Sequence, residues 1–558
     1  ISGNYIYPGI PERVVVTEDN IGEILQKIEN APEVSVDIET TRKGFYPYGR
    51  EPDSIRCLGL AIDNKTAYIV PGYSSEHFSE TPNLVIDTRV KEVLNKKYTI
   101  LHNGQFDCGF LWQEGYRLGI GYDTMLAHHQ MDERPYAHGL KALAHKFLGA
   151  PNWEADIKKF LPNKKSSYDL IPTEELYSYL SHDVVYTYQL KELFSREVST
   201  ETDNVFSSLI MPCANMFIDL RHRGVYIDPP VLFEAEEAIS EEMDAQLEEL
   251  REAVGWPINP MSPPEIAELV YDKLEFPEIK NMGRTTSKKV ISSFNHPLIE
   301  QVLDIRELNK LRSTYVASMA QFLDLEYKIH PFMKLFGTVT GRVSAEDPSM
   351  LNIVKNKRIK RMYIPQKGWY LLEADNKQME LRCYAVIAQD KVLRDKLMSD
   401  LPEDDPHRLV AAKVYGEDRA DEMRQKAKTG VFGKLYGRGA ESFMRGYGVS
   451  RTEALSLMST IDKLFPSLKA YNIQTRKEIH GQGFLKSYFG RYRRMGLITD
   501  ENKNELYRQG ANFKVQSMAS DVNLYTMLNL YRNKDKLKIY PLWPIHDSVV
   551  IEVESPEV

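Results

Sequence analysis

The sequence predicts an α/β multidomain protein, and three features carry that expectation: closely spaced apolar strands near the start, long amphipathic helices in the middle, and an apolar hairpin at the end. A chain of 558 residues is too long for one hydrophobic core. At roughly 150 residues per domain, about three or four modules are expected. Hydrophobic residues make up 42% and charged residues 27% of the chain, ordinary values for a globular protein.

The elements follow in order. Within residues 31–73, EVSVDIET, SIRCLGLAI and TAYIVPGY read as strands, because polar and Gly/Pro segments punctuate them. YTILHN reads as a further strand, and TEELYSYLSHDVVYTYQLKELFSREV as a long helix, so an α/β layer is expected to about residue 205. The chain then changes character. PPVLFEAEEAISEEMDAQLEELREAV is a Pro-initiated acidic helix, and HPLIEQVLDIRELNKLRSTYVASMAQFLD is suited to pair with it antiparallel as a helical projection. GTVTGRVSAEDPSMLNI is loop-rich, GWYLLEAD is a strand, and residues 400–500 are mainly helical. KLKIYPLWPIHDSVVIEVE reads as two strands meeting at His546, Asp547 and Ser548.

Composition excludes several classes. Cys57, Cys108, Cys213 and Cys383 form no CxxC pair, so neither a disulfide framework nor a zinc site is indicated and a reducing, cytoplasmic setting is expected. No run approaches the roughly 20 apolar residues of a membrane helix. The start is not a signal peptide, and its first residue is Ile, so the natural N-terminus is expected to be missing. The net charge of −8 argues only weakly against nucleic acid, since binding depends on local patches. One such patch, KNKRIKR at residues 355–361, stands just ahead of the GWYLLEAD strand.

Chemistry concentrates in two sets of residues. Asp375 and Asp547 each end a strand-like run. Between them, Arg424, Lys428, Phe432 and Tyr436 recur at four-residue steps, each step turning about 400° on a helix, so the four share one face. Two cations and two aromatics on one face suit a triphosphate lying under a base pair, and paired carboxylates suit divalent metals. Nearer the start, Asp37 and Glu39 alternate on one strand and point the same way. Two acids so placed repel each other unless a cation neutralises them. HNGQFD adds Asn103 and Asp107, and YLSHD adds Tyr179 and Asp183 one helical turn apart.

These motifs resemble DNA polymerase family A, the bacterial DNA polymerase I family, and the DxE, NxxxFD and YxxxD series resembles its proofreading 3′–5′ exonuclease. The resemblance implies an RNase H-like 3′–5′ exonuclease domain over residues 1–205, followed by a right-hand polymerase domain over 206–558. Within the latter, the thumb is expected at about 228–330, the palm at about 331–399 and 501–558, and the fingers at about 400–500. By the same resemblance Asp37, Glu39, Asp107 and Asp183 ligate two divalent cations and Tyr179 orients the attacking water. Asp375 and Asp547 hold the polymerising pair of metals. Oxygen ligands suit Mg²⁺, with Mn²⁺ as an alternative. Glu380 is implied to exclude ribonucleotides. Arg424, Lys428 and His407 meet the nucleotide phosphates, Lys428 also serving as proton donor, while Phe432 packs on the sugar and Tyr436 on the base pair. Arg342, Arg508, Asn512, Gln516 and His546 are implied DNA contacts. The expected partners are primer-template DNA, dNTPs and other replication proteins, with a monomeric chain and no membrane.

The pattern also departs from the family. Ser548 stands where the family places Glu, and Asn376 and Lys377 replace the usual aromatic and serine. The chain ends at Val558, where relatives continue, an expected truncation, and nothing resembling a 5′ nuclease precedes the exonuclease, as expected of a phage-type or other compact replicative member. Alternatives are an exonuclease with an impaired polymerase body, or a non-enzymatic DNA-binding accessory subunit. A single-subunit RNA polymerase is disfavoured by Glu380 and by the exonuclease motifs.

Overall fold

The structure is a computed structural model that describes residues 9–41, 47–48, 54–73, 82–135, 137–163, 166–197, 204–278, 283–351, 353, 356–399, 401–447, 449–545 and 547–555. The N-terminal sheet is built from β1 (Glu12–Val15), β2 (Glu33–Thr40), β3 (Ile55–Ala61), β4 (Thr66–Pro71), β5 (Tyr98–Leu101) and β6 (Tyr122–Asp123), in the order β1-β4-β3-β2-β5-β6. Every residue of β3 is buried, Arg56 included, so the strand shows no apolar-polar alternation. β2 is parallel to β5 and antiparallel to β3, with Asp37 opposite Gly59 and Glu39 opposite Cys57.

Gly59 decides how closely the helix Thr173–Glu197 lies on this sheet. A Cβ there would stand 2.8 Å from both Leu180 and Val184 of that helix. Only a residue without a side chain lets the helix approach so near, and Tyr179 and Asp183 ride on it beside the Asp37 strand.

The acidic helix Pro229–Val254 is capped by the Asp228 carboxylate, which accepts from Val231 N, and it packs on the helix Pro297–Lys310. Leu250, Ile258, Ile266, Val302 and Ile305 give this projection its own apolar cluster. The second helix runs on past Lys310 through a widened turn, Leu311–Ala317. Short strands flank this projection, β7 (Val225–Ile227) before it and β8 (Lys328–Ile329), β9 (Phe332–Lys334), β10 (Ser344–Glu346) and β11 (Tyr363–Ile364) after it, paired as β11-β7-β8 and β10-β9.

The second main sheet is small. β12 (Tyr370–Asp375) pairs antiparallel with β16 (Ser548–Val553), which pairs with β15 (Ile539–Ile545), while β13 (Phe484–Lys486) and β14 (Tyr492–Arg494) form a separate hairpin. The register shifts between Pro541 and Trp543, as a proline inside a strand demands. Helices Pro406–Tyr415, Ala420–Leu435, Arg451–Leu464 and Pro466–Gln482 share a cluster that includes Val410, Val431, Leu457 and Leu468. The helix Met379–Ile387 joins this cluster through Leu381 and Tyr384, as does the helix Lys503–Arg532 through Ala511 and Val515. One continuous apolar cluster runs from Val36 and Leu58 of the first sheet to Trp543 and Val550 of the second. Among the described residues, no helix is long and apolar enough to cross a membrane.

Candidate active sites

The first site lies at the end of β2. Asp37, Glu39 and Asp183 bring carboxylate oxygens within 4.8 Å of one another, the one grouping of this kind among the described residues. Burial, and then the charges of Asp107, Asp183 and Glu39, push the Asp37 carboxyl well above the usual range. Such a cluster favours a cation, because the alternative is to keep protons on the acids. All donors are hard oxygens, which fits Mg²⁺ or Mn²⁺ and not a thiolate- or imidazole-seeking metal.

Asp107 sits at the side of this group rather than within it. It is on the helix Gly104–Gln113, its Oδ1 accepts from Ile38 N at 3.3 Å, and burial raises its carboxyl to about 7. Its helix is anchored by a residue that sequence reasoning missed. Asp123 accepts from Asn103 N at 3.3 Å, Gly104 N at 2.8 Å and Leu126 N at 3.0 Å, which holds Asn103 in a left-handed conformation.

Two further residues also escaped the sequence reading. Lys141 Nζ reaches Asp183 Oδ2 at 2.6 Å and lies 4.4 Å from the centre of the Tyr179 ring. Trp153 Nε1 donates to the other Asp183 oxygen at 2.7 Å. Burial opposes the Lys141 charge, but Asp183, Asp37 and Glu39 outweigh it and hold the ammonium protonated. Tyr179 is buried over this cation, and burial raises its phenol well above the ordinary value. LKALAHKFL carries no motif that would single out Lys141, so its role is visible only in three dimensions.

At the second site β12 ends with Asp375, opposite Ser548 in register, and Asp547 occupies the turn between β15 and β16. Asn376 closes the gap: its backbone N donates to Asp547 O at 3.2 Å and its side chain to the same oxygen at 2.9 Å. The unusual residue after Asp375 therefore ties the two acidic strand ends together. Ser548 is buried and donates to Glu373 Oε1 at 3.3 Å. Lys357, Lys360 and Arg361, from the basic patch, line a cavity of about 790 Å³ together with Glu373 and Asp375.

The helix Ala420–Leu435 presents Arg424, Lys428 and Phe432 in line, and Tyr436 caps its C-terminal end. Phe432 lies between His407 and Tyr436, with ring centroids 5.7 and 6.2 Å away. His407 is fully buried, neither ring nitrogen has a hydrogen-bond partner among the described residues, and burial lowers its pKa to about 4. Glu380 receives the Tyr436 hydroxyl and, at 2.8 Å, the Arg342 guanidinium. Burial and then Glu380 push the Tyr436 phenol strongly upward, so it stays a donor.

Arg342 also lines a cavity of about 340 Å³ with Thr338, Ser520, Asn523 and Asp547. Ser520 and Asn523 continue along the helix Lys503–Arg532, which carries Arg508, Asn512 and Gln516 at four-residue steps. The structure places those three on one stripe. His546, expected beside the primer terminus, lies outside the described residues.

Residues 230–558 match the family model described as DNA polymerase family A, and residues 13–199 match the one described as 3′-5′ exonuclease. The chain is similar to DNA polymerase I of Chloroflexus aurantiacus, 25% identical over 577 residues that cover 98% of this chain and 60% of that protein. It is also similar to DNA polymerase I of Helicobacter pylori (strain J99), 32% identical over 354 residues that cover 62% of this chain and 39% of that protein. The chain thus spans at most about six-tenths of the length of these two relatives. Its fold is similar to the solved POL domain of Pol1 from M. smegmatis in complex with DNA primer-template and dNTP, with a TM-score of 0.81, 18% identity, and coverage of 98% of this chain and 93% of that one. The carboxylate strand ends, the cation-aromatic helix and the matched segments together place this chain in DNA polymerase family A, with a 3′-5′ exonuclease segment ahead of the polymerase segment.

Proposed function

We propose that the chain is a template-directed DNA polymerase that adds dNTPs to a primer 3′ end and proofreads with a 3′–5′ exonuclease. The observation that carries this reading is the convergence of Asp375 and Asp547 on adjacent strand ends, apart from the Asp37, Glu39 and Asp183 cluster on another sheet. Mg²⁺ at either site would supply charge to stabilise the attacking and departing oxygens of a phosphoryl transfer. Asp375 and Asp547 are the residues that would hold it for synthesis, and Asp37, Glu39, Asp107 and Asp183 for trimming.

The remaining work falls to the chain's own side chains. Arg424 and Lys428 offset the charge of the triphosphate, and Lys428 is placed to give a proton to the departing pyrophosphate. Phe432 and Tyr436 support the sugar and the base pair. Glu380, held by Tyr436 and Arg342, fills the space a 2′-hydroxyl would need. Arg508, Asn512 and Gln516 track the DNA along one helix stripe. In the trimming site Tyr179 orients a water against the terminal phosphodiester. The partners inferred are primer-template DNA and dNTPs, and the setting inferred is the cytoplasm.

Ser548, opposite Asp375 in place of a carboxylate, favours a second reading in which trimming survives and synthesis is weak. A labelled primer-template incubated with dNTPs and Mg²⁺ separates the two. The proposed function predicts extension by the wild type, loss of extension alone in Asp375→Ala, and loss of degradation alone in Asp37→Ala. A wild-type chain that shortens primers and never lengthens them supports the second reading and overturns the first.

A further inference from the structure

The guanidinium expected to meet the triphosphate is paired with a carboxylate of the chain itself. Arg424 lies 2.7 Å from Asp405 Oδ2, and Gln378 Nε2 donates to the same oxygen at 3.1 Å. The other oxygen, Oδ1, accepts from the backbone N of His407 and of Arg408, both at 2.9 Å, and so caps the helix Pro406–Tyr415. Gln378 sits in a left-handed turn between Asp375 and Glu380. One carboxylate therefore touches three parts of the nucleotide site: the His407 helix, the Arg424 helix and the loop leaving Asp375.

A helix cap needs an acceptor, not a charge, and Asn or Ser would serve it as well as Asp. The negative charge gains a little from the helix N-terminus, and it also has a second consequence. It stands where an anion is to bind, next to Arg424 and to a buried His407 whose ring nitrogens lack partners among the described residues. A like charge at that point competes with a triphosphate for Arg424.

Building on the nucleotide-site reading given above, we propose that Asp405 is the internal counter-ion of Arg424, a specificity-determining residue that an incoming polyphosphate must displace. It sets a threshold. A triphosphate carries enough charge to take Arg424 from the carboxylate, whereas a diphosphate or a released pyrophosphate does so less readily.

The test measures affinity for the next correct dNTP, and for the matching dNDP, using the full chain on a primer-template ended with a dideoxynucleotide. Asp405→Asn retains the cap and removes the charge, and Asp405→Ser is a second variant of the same design. The proposal predicts that both bind dNTP about fivefold tighter, the size expected for losing one partly exposed charge contact. The gain should be larger for dNDP, KM should fall without a rise in kcat, and the effect should vanish in an Arg424→Ala background. Unchanged or weaker binding in both variants, with melting temperatures like the wild type, overturns the proposal and leaves the nucleotide-site reading standing. If Arg424→Ala alone binds dNTP as tightly as the wild type, the nucleotide-site reading falls, and the proposal with it.

Discussion

Lys141 puts a positive charge among acids that would otherwise repel one another. Its side chain is 28% exposed while that of Asp183 is 4% exposed, so removing the cation strands a buried carboxylate. Lys141→Met should destabilise the exonuclease segment by about 3 kcal/mol in EDTA, the lower end of the cost of breaking a buried pair. Mn²⁺ should restore most of the loss, because a metal supplies the missing charge. Calorimetry with and without Mn²⁺ checks this, and equal melting of variant and wild type in EDTA would contradict it. Phe432 makes a second prediction at the other site. It lies between His407 and Tyr436 and carries no hydroxyl, so Phe432→Tyr should raise ddNTP incorporation relative to dNTP by about tenfold or more, the scale on which a placed hydroxyl discriminates. Competitive single-nucleotide incorporation measures the ratio, and an unchanged ratio would remove Phe432 from sugar selection.

Gly59 shows how one backbone position fixes a site built from two elements. Gly59→Ala places a methyl 2.8 Å from Leu180 and Val184 and must displace these side chains on the helix that carries Tyr179 and Asp183. Excision should fall at least about tenfold while extension is retained, since sub-ångström placement governs such chemistry. Gel assays of the two activities read this directly, and parallel losses in both would contradict it. β2 to β5 were legible in the sequence because turn residues bound them, and the terminal hairpin because two apolar runs meet at His546, Asp547 and Ser548, whereas β1, β6 to β11, β13 and β14 were not, each being only two to four residues long. Asp37, Glu39, Tyr179 and Asp183 were legible because strand and helix periods bring each pair to one face. Lys141, Trp153, Asp123 and Asp405 were not, for a common reason: each acts on a partner brought near by folding and sits in a segment that reads locally as an ordinary helix or its start. Asp405, in DPH, reads as a helix cap and is one; its second oxygen, on Arg424, belongs to tertiary structure. Nor could spacing reveal that Asn376 would bind the Asp547 carbonyl.

The two segments that carry the candidate sites are welded by polar as well as apolar contacts. Arg491 and Asp521 form a pair that is almost fully buried, and Arg491 also reaches Gln130, while Glu133 receives Arg493 and Arg494 from β14. Beside this junction are buried histidines: burial, aided by nearby cationic groups, lowers His129 and His102 to about 3 and His128 to about 4. In the unfolded chain they would take protons below about pH 6.5, so the unfolded state binds more protons from there down to about 4 and stability falls as pH drops through that window. Asp107, raised to about 7, acts in the opposite sense over much of the same range, so the comparison is between variants that share it. His129→Gln should flatten the acid side of the stability profile by a few kcal/mol relative to the wild type. Thermal melts across pH 4 to 7 test this, and superimposable profiles would contradict it. Folding thus gathers distant acids into two separate cradles on a single continuous core. Anomalous diffraction from crystals of the full chain with primer-template and Mn²⁺ tests that most directly: the account predicts manganese peaks both among Asp37, Glu39 and Asp183 and between Asp375 and Asp547, and a map with no peak between Asp375 and Asp547 would contradict it.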